Sequence, residues 1–94
     1  MEHFKLLETI REKIDIVDYT IIKLLVKRRG LVQKAGKYKY KRKIPYWQND
    51  RVKEIMKTRT KLGKKLGLKE ELVLNIFKTI INFAMKEEKN INKK

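Results

Sequence analysis

The 94-residue chain has no cysteine and a single histidine, His3. Disulfides and thiolate metal sites are therefore excluded, and a histidine-built metal site lacks ligands. The redox compartment is left open. The same scarcity removes Ser/His/Asp and Cys/His arrangements for nucleophilic catalysis. Gly-rich phosphate loops are absent as well. Pro45 and four glycines are the only strong punctuation, too little for the many turns of a small all-β fold. No apolar run is long enough to span a membrane, and Met1 to Lys13 holds no signal-peptide core. What the chain has in excess is positive charge: 26 Lys and Arg against 11 Asp and Glu, a formal net of +15. That excess favours an anionic partner, whether nucleic acid, membrane or a small acid. A composition rich in Lys, Ile and Asn accounts for much of it with no partner at all. With 41% hydrophobic and 39% charged residues, the chain suits an ordered helical protein. Its length allows one small domain over residues 1–94, whose modest core makes oligomerisation a natural supplement.

Two breaks divide the chain into three periodic segments. The first break runs from Lys41 through Asn49 around Pro45, and the second from Gly63 to Gly67. Segment one, about Phe4 to Tyr40, carries Leu7, Ile10, Ile14, Val17, Ile21, Leu24, Arg28, Leu31, Ala35 and Tyr38 at alternating steps of three and four. This is a heptad seam with one violation, Arg28. Gly30 and Gly36 weaken the helix at a tolerable cost. A helix of about 36 residues is roughly 54 Å long. A compact chain of this size has a radius of gyration of only about 12 Å. Its seam therefore requires cover from another chain, most simply a symmetric copy. Segment two, about Asp50 to Lys65, has Asn49 or Asp50 as cap, Gly67 as terminator and a weaker face of Val52, Ile55, Met56, Leu62 and Leu66. Segment three, about Lys69 to Asn90, opens on Glu70 and Glu71, which suit a helix N-terminus. It carries a broad stripe of Leu72, Val73, Ile76, Phe77, Ile80, Ile81 and Ala84. The tail from Lys86 to Lys94 is expected to fray at its end.

Several polar residues stand where packing alone does not ask for them. Arg28 occupies a seam position, either as a register-setting or snorkelling residue or with an anionic partner. Lys39 lies eleven residues later on nearly the same face, about 16 Å along the axis, close enough for two long side chains to converge on one small ligand. It also lies in the lysine-rich run Lys37 to Lys43, where a lysine is ordinarily just solvated. Arg11 is about 25 Å before Arg28 and on another face, so it reaches Arg28 only across an antiparallel helix pair; otherwise it is a surface partner of Asp15. Glu88 continues the stripe one turn past Ala84. It is either wet, as the helix leaves the core, or a carboxyl at the edge of a buried cationic site. There burial would favour its neutral form and the cations its ionised form. The basic aromatic stretch Lys37 to Lys43 with Tyr46 and Trp47 allows a nucleic-acid reading, since lysines pair with phosphates and aromatics stack on bases. No zinc-finger, basic-zipper or RNA-recognition signature accompanies it.

Three stretches carry a family resemblance. They are Ile10-Arg11-Glu12-Lys13-Ile14-Asp15 with Asp18, Leu24-Leu25-Val26-Lys27-Arg28-Arg29, and Gly36-Lys37 with Lys39. Together with Ile44-Pro45, Asp50-Arg51 and Phe77 through Ile81, this pattern resembles the all-helical chorismate mutase family over nearly the whole chain. The resemblance implies an all-α intertwined homodimer of six helices, three from each chain, with two active sites. It implies a cytoplasmic enzyme of aromatic amino-acid biosynthesis that turns chorismate into prephenate without metal or cofactor. Carried across by position, Arg28 and the partner subunit's Arg11 would hold the two carboxylates of a dianionic substrate. Lys39 and Glu88 would face the ether oxygen of the breaking bond, and Arg51 would help hold the ligand. Gln48, Val52 and Ala84 stand where the bacterial mutases usually have Asp, Glu and often Ser. In the family that acidic pair lies near the ring hydroxyl. Their loss opens the alternative of an isochorismate-pyruvate lyase, which shares the fold and the Arg/Arg/Lys set. A basic helical dimer binding nucleic acid is the alternative from another class; the resemblance itself implies neither nucleic acid nor membrane as partner.

Overall fold

A computed structural model describes residues 2–92, which form three helices with no strand among the described residues. Helix α1 spans Glu2–Arg42, α2 spans Asn49–Lys65 and α3 spans Glu70–Asn92. Neither Gly30 nor Gly36 breaks α1, and it extends two residues past the expected limit at each end. It stops by backbone chemistry. Lys43 takes a left-handed φ of 58°, the Ile44 N–H donates to the Lys39 carbonyl at 2.8 Å, and the Lys43 N–H donates to the Tyr40 carbonyl at 3.3 Å. This double closure satisfies two carbonyls that the end of a helix leaves unpaired. Lys39, Lys41 and Arg42 in the last turn also suit the negative end of the helix dipole.

The chain divides into two compact units, Met1–Leu31 and Val32–Lys94. The first is helix alone. Its seam residues Leu7, Ile10, Ile14, Val17, Ile21 and Leu24 are all exposed, Leu24 at 59%. A single helix has nothing to bury its stripe against, so the heptad pattern is present and uncovered.

The second unit holds the end of α1 and the hairpin of α2 and α3. Ile55, Val73 and Ile81 form its buried apolar core. Gly63 lies so close to α3 that a Cβ there would stand 2.5 Å from the Val73 Cγ2. The hairpin turn repeats the closure seen on α1. Gly67 adopts φ 91°, the Leu68 N–H donates to the Gly63 carbonyl at 2.8 Å, and the Gly67 N–H donates to the Lys64 carbonyl at 3.1 Å. Gly67 thus ends α2 as its position suggested.

Two expectations are corrected here. The cap of α2 is Gln48, in an extended conformation and without a side-chain hydrogen bond, rather than Asn49 or Asp50. The Asn49 Oδ1 instead accepts from the Trp47 Nε1–H, which takes it away from the helix end. The apolar faces of α2 and α3 are also less buried than their periodicity suggests. Leu62, Leu66, Leu72 and Ile76 remain exposed, because a two-helix hairpin covers one side of each helix and these broad stripes reach beyond it.

Candidate active site

A part-buried polar cluster of the second unit lies where α1 meets α3. Gly36 is buried there, and a Cβ on it would meet the Ile91 Cδ1 at 2.9 Å and the Glu88 Cγ at 3.3 Å. The absence of a side chain at residue 36 lets the two helices approach. One turn further along α1, the Lys39 ammonium donates to both carboxylate oxygens of Glu88, at 2.9 and 3.2 Å. Glu88 is only 8% exposed, so α3 has not left the interior at this point and the carboxylate is not wet. Charges taken out of water need a partner of opposite sign with good geometry, and Lys39 and Glu88 supply it to each other. The third N–H of Lys39 donates to the Tyr46 carbonyl at 3.3 Å. Toward the start of the same contact, the Gln33 amide donates to Glu87 at 3.3 Å.

The other candidates are arranged as follows. Ala84 is half-buried one turn before Glu88 on α3. Gln48 and Arg51 line an open depression of about 630 Å³ at the start of α2, together with Asn49, Asp50 and Glu54. Arg51 is exposed and ion-paired with Glu54. Val52, half-buried, offers only an aliphatic surface. Arg11 and Arg28 belong to the first unit, where Arg11 is exposed and Arg28 half-buried. The structure therefore brings Lys39 directly onto Glu88, and gathers Gln48 with Arg51.

Four contributors escaped the sequence reading. Gly36 reads as a tolerable helix weakness, whereas its role is close approach. The Tyr46 carbonyl is a backbone group with no residue-type signal, although Pro45 just before it marks a constrained loop. Gln33 and Glu87 are ordinary surface types in sequence. The basic aromatic stretch is partly consumed within the chain: Lys39 faces Glu88, and the Arg42 guanidinium stacks over the Tyr38 ring at 5.1 Å. Among the described residues no cluster of His, Cys, Asp or Glu could hold a metal, and no helix is long and apolar enough to cross a membrane.

The family model for chorismate mutase type II matches residues 10–89. The chain belongs to that family. It is 32% identical to the chorismate mutase of Methanocaldococcus jannaschii, over 94% of this chain and 96% of that one. It is also 32% identical to the bifunctional chorismate mutase/prephenate dehydratase of Buchnera aphidicola subsp. Acyrthosiphon pisum, over 89% of this chain. The T-protein of Haemophilus influenzae is 25% identical over 94% of the chain. The chain spans only 22% of the length of the Buchnera relative and 23% of the T-protein.

Proposed function

We propose that the chain is a homodimeric chorismate mutase that rearranges chorismate to prephenate in the cytoplasm, within aromatic amino-acid biosynthesis. The observation that carries this reading is the part-buried Lys39–Glu88 pair at the contact of α1 and α3. The reaction is a concerted isomerisation: the enol ether C–O bond breaks as a new C–C bond forms, and nothing is added or lost. Such a step needs no nucleophile, only a substrate held in its reactive conformation and donors aimed at the oxygen that gains charge. Lys39 supplies such a donor. Arg28 and the partner subunit's Arg11 hold the two carboxylates, for which a guanidinium fork is well suited. Arg51 adds a cation at the depression that Gln48 also lines.

The exposed seam of α1 supports the dimer, since a second copy would cover it and deliver Arg11 to the site. A second reading, isochorismate-pyruvate lyase, is favoured by one specific feature. Gln48 and Val52 carry no carboxylate at the two positions where the mutases usually have one near the ring hydroxyl. Both readings are tested by offering the purified protein chorismate and isochorismate separately and identifying the products. Prephenate from chorismate supports the mutase. Pyruvate and salicylate from isochorismate, at a much higher rate, would replace it with the lyase.

A further inference from the structure

Lys39 is held by the α1–α2 loop at both of its ends. Its backbone carbonyl accepts from the Ile44 N–H at 2.8 Å, and its side-chain ammonium donates to the Tyr46 carbonyl at 3.3 Å. The loop that makes these bonds is itself constrained. Lys43 holds a left-handed φ of 58°, which is strained for a residue with a Cβ and persists only where the surroundings enforce it. Pro45 fixes its own φ and keeps Ile44 extended, so the stretch that leads to Tyr46 has few conformations open to it. An ammonium has three donors. Two of Lys39's go to the Glu88 carboxylate and the third to Tyr46.

We propose that the Tyr46 carbonyl is a positioning group for Lys39. It occupies the third donor permanently and leaves the other two aimed at the position where Glu88 and a substrate oxygen compete for them. A lysine otherwise carries a flexible four-carbon stem and loses much rotamer freedom when it must point one way. The loop bears that ordering in advance. The role of Lys39 rests on the mutase reading given above; the grip on Lys39 does not.

The test has two arms that fail separately. Trp47 is the only tryptophan and directly follows Tyr46, so its fluorescence anisotropy reports the loop whether or not the protein is a mutase. Lys39→Met keeps the stem and removes the donors, and is expected to lower Trp47 anisotropy. Lys39→Arg keeps donors of similar reach and is expected to preserve it. In the second arm the 94-residue chain is made by chemical synthesis with the Tyr46–Trp47 peptide bond replaced by an ester, whose carbonyl is a weaker acceptor. The expected result is a kcat for chorismate about fivefold lower, the equivalent of one ordinary net hydrogen bond, with KM held within about twofold. A merely structural loop contact would also set the Met and Arg variants apart in anisotropy, but it would not lower kcat selectively. Unchanged anisotropy in a helical, folded Lys39→Met protein, or an ester variant with wild-type kcat, overturns the proposal. A wild type that converts no chorismate overturns the mutase reading instead, and the anisotropy arm then decides the grip alone.

Discussion

Lys39 and Glu88 face each other at 2.9 Å, and their pairing limits what each can offer a substrate. An ionised carboxylate only accepts hydrogen bonds, and its charge would repel an ether oxygen that is becoming negative. Paired with Lys39, Glu88 takes up two of the donors that the ether oxygen would use. A Gln at 88 has an N–H donor of its own and no charge to hold the ammonium. The expected outcome is that Glu88→Gln converts chorismate with a kcat at or above wild type, whereas Glu88→Ala, which offers no donor, is slower by about tenfold or more. Steady-state rates at matched ionic strength check this. A Glu88→Gln variant no faster than Glu88→Ala would remove Glu88 from the ether oxygen. The two residues differ in how legible they were. Glu88 stood out because it continued an apolar stripe. Lys39 lay among other lysines, and it was its spacing of eleven residues from Arg28, with the family pattern, that set it apart.

Glycines mark the contacts between the helices of the second unit, and for different reasons. Gly67 takes a left-handed φ that a residue with a Cβ rarely adopts, while Gly63 is needed for space. A methyl group at residue 63 would press on the Val73 side chain, which is β-branched, stiff and buried. Gly63→Ala is expected to destabilise the fold by about 1–3 kcal/mol, the usual cost of overpacking. Adding Val73→Ala should recover part of that loss by clearing the obstructing methyl groups, although the second change has its own cavity cost. Denaturant midpoints of both variants at fixed protein concentration check the pair. Equal stability of Gly63→Ala and wild type would mean that the α2–α3 approach is looser than described. The end of α2 was legible because Gly67 announces it. The end of α1 was placed near the proline but not at its residue, since Lys43 is an unusual choice for the same left-handed position.

At the scale of the whole molecule, the exposed seam of α1 and the separation of Arg11 from Arg28 along one helix lead to a single expectation. If each site takes Arg11 from one chain and Arg28 from the other, Arg11→Ala and Arg28→Ala homodimers are both inactive. A mixed dimer contains one site with both substitutions and one with neither. Mixing the two variants is therefore expected to restore up to about half the wild-type activity per hybrid dimer, with the hybrid fraction set by random exchange. Native mass spectrometry verifies the exchange. Hybrid dimers without recovered activity would show that the sites are not shared between chains.

The order of three helices and their approximate limits followed from periodicity alone, because α1 repeats its apolar residues over ten positions and few breakers interrupt the chain. The long seam of α1 was equally plain, since a stripe of that length exceeds what its own chain can cover. Tertiary structure decided which of those apolar positions are buried. The hairpin covers Val73 and Ile81 and leaves Leu72 and Ile76 open, a choice set by one contact face and invisible to a periodic pattern. It also decided the surroundings of Lys39. The carboxylate comes from forty-nine residues away in sequence and the carbonyl from a backbone group whose direction depends on the loop. Side-chain chemistry can be read from residue types, but the meeting of an ammonium, a distant carboxylate and a peptide carbonyl is a property of the folded chain.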